Sequence, residues 1–335
     1  MWHIGVDLHR KTVVIAAVHD TGAVRPPVRW ENWQTEEIYR TFQGFGEFRA
    51  VVEATGTYRW LYKLIRPLGV VLLAHPQHLR AMVQRRSKTD KLDAQLLANL
   101  LRINQIPLAY IPPDDYQMLR ELTRHRARMA RGLATVKTSL RALLARHNVQ
   151  PLYKYPFGPR GLHWFSKQDF GLIENGARDE LLSRFDHFTA EIARADGRMK
   201  ELQPAYPQAE ALTELYGIGL YSALMIIAEL GDVERFRRAK QVAAYTGLTA
   251  RVHQSGDHCY RGHVSKQGSP WLRWILIEAA MKVVKKDVAL ANFYQRIRKR
   301  SSAKIARVAT GRKMAEICWK RLLRWHREHK EMNAA

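Results

Sequence analysis

The chain opens with Trp2-His3-Ile4-Gly5-Val6-Asp7, an apolar run of strand character that ends in a carboxylate. A second apolar run, Thr12–His19, predicts a hairpin or an adjacent strand. A third run, Phe48–Glu53, also ends in an acid. A carboxylate at the end of a buried strand is costly unless it is paired, solvated or bound to a metal. Asp7 and Glu53 are therefore candidates for a functional site.

Two more acids stand at the head of a predicted helix, Asp90–Arg102, in the stretch Lys88-Thr89-Asp90-Lys91-Leu92-Asp93-Ala94-Gln95. A spacing of three residues puts the two carboxylates on one helical face. Lysines flank them, but no basic residue lies one turn away as an obvious partner, so a cation between the acids is favoured. The alternative is structural, because Thr89 or Asp90 would also cap this helix well.

The four acids Asp7, Glu53, Asp90 and Asp93 together predict a site for a hard divalent cation, Mg²⁺ or Mn²⁺. Two such ions can activate a nucleophile and stabilise a leaving oxygen in phosphoryl transfer. Under the structural alternative, Asp7 is a turn residue and Glu53 an ion-pair partner. The presence of all four acids in one domain of a basic protein favours the metal.

Strand and helix patterns alternate over about the first 105 residues, which predicts an α/β domain with a mixed sheet. The further elements expected in it are helices at Thr35–Phe42 and Tyr58–Arg66 and a strand at Gly69–Ala74. The turn signal Pro112-Pro113-Asp114-Asp115 marks the boundary of this domain.

The rest of the chain is predicted to be helical. Two long amphipathic helices, Tyr116–His147 and Arg178–Leu202, flank a loop at Pro151–Gly161 and either pack antiparallel as a coiled coil or pair with a second subunit. A turn at Gly217-Ile218-Gly219 resembles a helix-hairpin-helix that could hold a phosphate, although an ordinary helix–helix turn explains it as well. Further helices are expected at Leu220–Leu230, Gln241–Leu248, Trp271–Lys285 and Ala303–His329. The predicted domains are 1–110, 111–205 and 206–335.

Composition adds a strong positive charge. The 335 residues carry 55 Lys and Arg against 31 Asp and Glu, a net charge of +24 with a pI near 10.3. Residues 117–150 hold eight Lys or Arg and one acid, and residues 281–335 hold sixteen and four. This one-sided excess predicts a polyanionic partner rather than a merely solvated face. The basic residues singled out as nucleic-acid contacts are Arg120, Arg124, Arg128, Arg131, Lys266, Arg273, Arg296, Arg298, Lys299, Arg300 and Lys304.

Several function classes are disfavoured. No apolar run approaches the roughly 20 residues that span a bilayer, and the N-terminus has no secretory signal pattern. Cys259 and Cys318 are far apart and in no metal-ligand spacing, which disfavours zinc and fits a reduced, cytoplasmic setting. An acidic site beside basic surfaces is instead the layout expected of an enzyme that cuts nucleic acid.

The polar, glycine-rich stretch His253–Gly268 is a second site candidate, predicted as a loop or hairpin. Ser255 is followed by glycine, so a backbone could approach it closely, and His253 and Lys266 are plausible helpers for a seryl nucleophile. Arg261 and Arg273 could steady phosphate oxygens. From spacing alone, an ordinary surface turn at Ser255-Gly256-Asp257 remains the stronger interpretation.

These features combine into an ordered series of short motifs. The motifs are Gly5-Val6-Asp7, Glu53-Ala54-Thr55-Gly56, Lys88-Thr89-Asp90 with Asp93-Ala94, Gly217-Ile218-Gly219, Ala228-Glu229-Leu230-Gly231-Asp232, Tyr245 with Gly247-Leu248, Ser255-Gly256, and Ser265-Lys266 with Gly268 and Leu272-Arg273. Their order and spacing resemble the bacterial insertion-sequence transposases of the "one-ten" family, including the Piv-type DNA invertases, over the whole length of the chain.

The resemblance implies a RuvC-like domain of RNase H fold, with Asp7, Glu53, Asp90 and Asp93 as a DEDD set for Mg²⁺. It also implies a coiled-coil region and a C-terminal transposase domain whose serine, Ser255, forms a covalent phosphoserine intermediate. The implied partners are donor DNA, target DNA and a non-coding bridge RNA, in a dimer or tetramer.

Two rival interpretations stay open at this stage. In a RuvC-like junction nuclease or hydrolytic transposase, water or a DNA 3′-OH attacks and Ser255 is only structural. In a nucleic-acid-binding scaffold, the four acids are helix caps and ion-pair partners.

Overall fold

The computed structural model describes residues 1–82, 89–255 and 258–334. The chain divides into two compact units, Met1–Ile111 and Pro112–Ala335. Every helix of the described residues is too short or too polar to cross a bilayer. The flanking Lys88 and the pair Gly256 and Asp257, which the sequence analysis singled out, lie outside the described residues.

The first unit is built on one mixed sheet. Its strands are β1 (Trp2–Leu8), β2 (Thr12–His19), β3 (Val24–Glu31), β4 (Phe48–Glu53) and β5 (Val70–Ala74). The spatial order is β3-β2-β1-β4-β5. The first three strands form an antiparallel meander, whereas β4 runs parallel to β1 and β5 parallel to β4. The carboxyl ends of β1, β4 and β5 therefore meet at one edge of the sheet.

Strand β3 is an element that the sequence analysis did not predict. It contains Pro26 and Pro27, which would break hydrogen bonds in a central strand. The proline pair is tolerated because β3 lies at the edge of the sheet and pairs only with β2. Its burial pattern is mostly exposed, so the apolar signal of a buried strand is also missing.

Four helices complete the first unit. They are α1 (Thr35–Gln43), α2 (Tyr58–Ile65), α3 (Pro76–Met82) and α4 (Asp90–Arg102). The core between the sheet and the first two helices includes Ile4, Ile38, Phe42, Leu61 and Ile65, all fully buried. The predictions for α1, α2 and α4 are confirmed to within one residue at each end, and α3 was not predicted.

Helix α4 packs directly on β1 because Gly5 has no side chain. A Cβ atom at Gly5 would lie 2.0 Å from the carbonyl oxygen of Ala94 and 2.4 Å from the backbone nitrogen of Ala98. This close backbone approach requires glycine, whichever backbone angles it adopts. The approach matters for function, since the first turn of α4 carries Asp90 and Asp93.

The second unit begins with a pair of long helices. Helix α5 (Asp114–Arg146) and helix α7 (Leu172–Leu202) are joined through the short α6 (Pro159–Ser166). Arg126 pairs with Asp196, whereas Arg146 pairs with Glu174 at the other end, so the two helices run antiparallel. The predicted antiparallel packing is thus observed, while the coiled coil stays a prediction. The predicted loop at Pro151–Gly161 ends earlier, because α6 begins at Pro159.

The remaining elements form a helical cluster around a hairpin. The helices are α8 (Glu210–Thr213), α9 (Leu220–Leu230), α10 (Ala239–Tyr245), α11 (Pro270–Val283), α12 (Val288–Arg300) and α13 (Ala303–Ala334). The hairpin consists of β6 (Ala250–Ser255) and β7 (His258–Val264). Helix α9 is apolar apart from Ser222 and Glu229 and is buried from Ala223 to Leu230, so it forms the centre of this unit.

A buried ion pair ties α5 to the central helix α9. Glu229 is 1% exposed, and both of its carboxylate oxygens accept hydrogen bonds from Arg124, at 2.6 and 2.9 Å. Burial by itself lowers the pKa of Arg124, but the hydrogen bond and charge of Glu229 outweigh it and raise that pKa. Arg120 donates to the carbonyl oxygens of Ala228 and Glu229. These arginines satisfy a buried acid and the end of a helix.

Candidate functional site

Three side chains converge at the carboxyl edge of the first unit's sheet. Nε2 of His9 lies 3.1 Å from Oδ2 of Asp7 and 3.2 Å from Oδ1 of Asp90. One ligand atom from each of the three lies within 4.8 Å of the others. An imidazole nitrogen and two carboxylate oxygens form a donor set suited to a divalent cation.

The position of His9 is fixed by its own backbone in the β1–β2 turn. The His9 N–H donates to the carbonyl oxygen of Thr12 at 2.8 Å. The Asn32 side-chain amide donates to the carbonyl oxygen of His9 at 2.9 Å. Because both backbone groups are held, the ring is presented to the two carboxylates from a rigid turn.

The cap of α4 leaves the Asp90 carboxylate available. Thr89, not Asp90, is the N-cap, and its hydroxyl accepts from the backbone N–H of Leu92. Asp90 and Asp93 therefore stand inside the first turn, where the helix dipole favours negative charge. This geometry removes the interpretation of Asp90 as a simple capping residue.

The electrostatics of Asp7 are those of a crowded acidic site. Burial is the main cause that raises the pKa of Asp7, and the charges of Asp90 and Asp93 raise it further, while His9 opposes them. The Asp7 side chain is 14% exposed, against 42% for Asp90. A cation at this point would relieve both the desolvation and the repulsion.

Glu53 and Asp93 lie near this group without joining its compact ligand set. The parallel pairing of Val6 with Val52 puts Glu53, the last residue of β4, at the same sheet edge as Asp7. Asp93 is close enough to raise the pKa of Asp7. Among the described residues, the group within ligand distance comprises Asp7, His9 and Asp90.

His9 is the residue that the sequence analysis missed. The sequence around α4 offers no basic partner one turn from Asp90, whereas in the structure His9, from the turn after β1, contacts both Asp7 and Asp90. The sequence did contain a signal, because Asp7 and His9 are two apart, and alternate residues of an extended chain share a face.

Gly5→Ala is expected to disturb this centre without touching any of its side chains. A methyl group must push α4 away from β1, at a cost of about 1–3 kcal/mol, and the shift separates Asp90 from Asp7. Thermal unfolding with and without Mn²⁺ should show a lower melting temperature and a smaller stabilisation by the metal. Gly176→Ala, on α7 with open space at its Cβ position, is the control and should be neutral or stabilising. An unchanged metal response in Gly5→Ala would contradict this account of α4.

The predicted serine site lies at the tip of the β6–β7 hairpin. Ser255 is the last residue of β6 and pairs with His258. The backbone alone is described at Ser255, and the same holds for His253 and Arg261. The hairpin prediction for this stretch is confirmed, and Ser255 belongs to the last strand pair, next to the turn.

The predicted nucleic-acid residues divide into two groups. Arg120 and Arg124 bind within the second unit, as described above, and Arg273 donates to the carbonyl oxygens of Thr246, Gln267 and Gly268. Burial lowers the pKa of Arg273. These three side chains hold the fold together. The exposed members are Arg128, Arg131, Lys266, Arg296, Arg298, Lys299, Arg300 and Lys304.

Two family descriptions match this chain. The N-terminal one is a DEDD-type transposase of the IS110 group and matches residues 4–149. The C-terminal one is the transposase IS116/IS110/IS902 family and matches residues 209–295. The first match contains the acids Asp7, Glu53, Asp90 and Asp93, and the second contains Ser255.

The chain belongs to this transposase family.

Curated relatives of the transposase agree over most of its length. A probable family 20 transposase of Pseudomonas aeruginosa is 26% identical over 96% of both chains. The transposase for insertion sequence element IS1111A of Coxiella burnetii is 23% identical over 96% of this chain and 89% of its own. A pilin gene-inverting protein of Moraxella bovis is 24% identical over 84% and 82%. The chain is thus a DNA transposase or recombinase.

The transposase family and the site geometry agree on a divalent metal. The residues present fit such an ion, because two carboxylate oxygens and an imidazole nitrogen lie within 4.8 Å of one another. Asp7, His9 and Asp90 would hold it, with Glu53 and Asp93 beside them.

Proposed function

We propose that this transposase is an RNA-guided recombinase of an insertion sequence, which cuts and rejoins DNA through a phosphoserine intermediate with the aid of Mg²⁺ or Mn²⁺. The observation that supports it most is the convergence of Asp7, His9 and Asp90 in a domain that matches a DEDD transposase. The sheet order and the packing of α4 on β1 support a RuvC-like domain of RNase H fold for this unit.

The metal centre has a limited and definite task. When bound, a divalent ion would neutralise charge on the scissile phosphate and so favour attack on phosphorus. Asp7, near the end of β1, and Asp90, at the start of α4, supply negative charge. The imidazole of His9 lies between the two carboxylates. Glu53, the last residue of β4, adds a further carboxylate at the same edge of the sheet.

Ser255 is the proposed nucleophile. Its Oγ forms a bond to phosphorus and gives up its proton, while the P–O bond to the deoxyribose oxygen breaks and that oxygen leaves with the electron pair and takes a proton. The phosphoserine ester conserves the energy of the phosphodiester, so a second DNA hydroxyl can reverse the step and rejoin strands without ATP.

The proposed partners are donor DNA, target DNA and a structured bridge RNA. The net charge of +24 favours polyanionic partners, and the exposed Arg296, Arg298, Lys299 and Arg300 of α12, with Lys304, offer phosphate contacts. We further propose a dimer or tetramer that works in the cytoplasm, with metal domain 1–110, helical region 111–205 and transposase domain 206–335.

A second candidate function differs in the nucleophile. A RuvC-like Mg²⁺-dependent junction nuclease or hydrolytic transposase would use water or a DNA 3′-OH at the same carboxylates. The observation that favours it is that Asp7, His9 and Asp90 already form a ligand group within the first unit, and an attack by water or a DNA 3′-OH would need no serine.

Reconstitution tests the whole proposal. The full-length protein is expressed with its flanking insertion-sequence DNA, and the RNA that copurifies is sequenced. We expect donor and target strands to be joined only when that RNA and Mg²⁺ or Mn²⁺ are both present. Ribonuclease and EDTA treatments are the paired controls. Equal strand exchange after ribonuclease treatment would exclude the guide RNA, and activity in EDTA would exclude the metal.

A further inference from the structure

A shallow groove of about 820 Å³ runs along the first unit beside the metal centre. Its wall combines an exposed indole with basic side chains. The residues used in this argument are Arg10, Asn32, Trp33, Thr57, Arg59 and Lys63. None of them was singled out in the sequence analysis, which sought the basic surfaces in residues 117–150 and 281–335.

The groove is linked to the metal centre in two ways, by residues that are neighbours in sequence and by a hydrogen bond. Arg10 directly follows His9, and Thr57 follows Glu53 by four residues. Asn32, in the groove wall, is also the residue whose side chain donates to the carbonyl oxygen of His9. The groove therefore borders the turn that presents His9 to the two carboxylates.

Trp33 is an exposed ring on a rigid turn. It exposes 78% of its surface, against 38% for Trp274. The turn is closed on both sides, since Gln34 N–H donates to the carbonyl oxygen of Glu31 and the Glu31 N–H donates to Oε1 of Gln34. A large aromatic held this way in water has a flat face available for stacking.

The charge of the groove indicates an anionic ligand. Arg10 and Lys63 are exposed, and the half-buried Arg59 also lines the wall. Cationic side chains that follow a backbone, together with an aromatic ring that takes a base, form the usual surface for an unpaired nucleic-acid strand. A duplex would hide its base faces from Trp33.

We propose that this groove binds a single strand of DNA, with one unpaired base stacked on Trp33 and its phosphates along Arg10, Arg59 and Lys63. The strand is DNA because the groove borders the turn that carries His9, a member of the centre at which we propose that this DNA transposase cuts, and in this respect the inference rests on the proposed metal site. The groove is shallow and open to solvent, which suits a strand that lies along the surface rather than an enclosed small molecule.

Photocrosslinking tests the strand position directly. A single-stranded oligodeoxynucleotide with 5-iodouracil is irradiated with the full-length protein in EDTA, and the crosslinked peptide is identified by mass spectrometry. We expect the crosslink at Trp33. Trp33→Ala should lose it and weaken binding about tenfold, whereas Trp33→Phe should retain most of the affinity because a ring remains.

Tyr155→Ala is the matched control. Tyr155 is 74% exposed but belongs to the second unit, so its loss should leave the Trp33 crosslink unchanged. Crosslinks that avoid Trp33 altogether, or a Trp33→Ala variant with wild-type affinity, would overturn the proposal. So would an RNA strand of the same sequence that crosslinks at Trp33 where DNA does not. Because EDTA excludes the metal, these outcomes are independent of whether the metal proposal holds.

The salt dependence of binding tests the basic wall separately. The double variant Arg10→Gln/Lys63→Gln should reduce the slope of log affinity against log salt by about 1.4, since each single-strand phosphate contact contributes about 0.7. The oligodeoxynucleotide is again the probe, with fluorescence anisotropy as the measurement. An unchanged slope would mean that no phosphate lies along this wall.

Discussion

Asp7→Asn is expected to lower DNA strand cleavage by about 10³-fold or more. The substitution keeps the size and shape of the side chain but removes the charge at the most buried member of the metal centre, where it is only 14% exposed. A loss of about 4 kcal/mol of transition-state stabilisation corresponds to that factor. The measurement is single-turnover cleavage of a labelled donor strand with Mg²⁺ or Mn²⁺.

The same variant is expected to be more stable than wild type when no metal is present. Burial and neighbouring acids raise the pKa of Asp7 in the folded protein, so folding favours the uncharged form. Wild-type stability therefore falls as the pH rises from the unfolded pKa through the raised folded pKa, and asparagine escapes this loss. The melting temperature should rise by roughly 2–4 °C per kcal/mol gained.

The two measurements together separate a metal ligand from a structural acid. Asp186→Asn, at an exposed position on α7, is the control and should change neither cleavage nor the metal response. If Asp7→Asn cleaves DNA at the wild-type rate, the proposed metal centre is wrong. If it loses both activity and stability, Asp7 acts through the fold and not through an ion.

Ser255→Ala is expected to abolish strand exchange, by a factor on the order of 10³ or more, because loss of a covalent nucleophile cannot be compensated by neighbouring groups. The decisive measurement is a protein–DNA adduct that survives denaturation, detected with end-labelled DNA. Wild type should form it, and Ser255→Ala should not. Binding of DNA should stay within about twofold, since one hydroxyl adds little to a surface of this charge.

The control for this variant is the next serine along the chain. Ser265→Ala removes a hydroxyl ten residues later, beyond the end of β7, and should retain the adduct and strand exchange. Full strand exchange by Ser255→Ala would establish the rival interpretation, in which water or a DNA 3′-OH attacks. That result would leave the metal centre of the first unit intact.

Much of the secondary structure could be predicted from periodicity. The strand at Phe48–Glu53 and the helices at Asp90–Arg102 and Leu220–Leu230 have the predicted bounds. These segments are either apolar throughout or strongly amphipathic, so burial and intrinsic preference agree. The unpredicted elements lack such agreement. Strand β3 (Val24–Glu31), for example, contains Pro26 and Pro27 and is mostly exposed, so no apolar alternation marks it in the sequence.

Local sequence also fails to separate basic residues that are paired inside the fold from basic residues that are exposed. Arg124 and Arg128 are four apart on one helix and looked equivalent in the sequence. Arg124 is paired with the buried Glu229, whereas Arg128 is 49% exposed and 3.9 Å from Glu121. No local pattern distinguishes them, because the partner of Arg124 lies 105 residues away in the chain.

The sequence by itself determined the functional class of this protein and identified the four acids of its candidate metal site. Strand ends that carry Asp7 and Glu53, a helix start that carries Asp90 and Asp93, and a net charge of +24 are local or additive properties, and they need no knowledge of distant contacts. The order of the motifs led to the transposase family for the same reason.

Only the tertiary structure decided what surrounds those acids. The contact of Gly5 with α4, the insertion of His9 between Asp7 and Asp90, and the groove lined by Trp33 each join segments that are far apart in sequence. Such contacts depend on which strand edges and helix faces meet in the folded unit. The packing of the whole unit determines which of them meet, and the residue periodicity of a single segment does not indicate it.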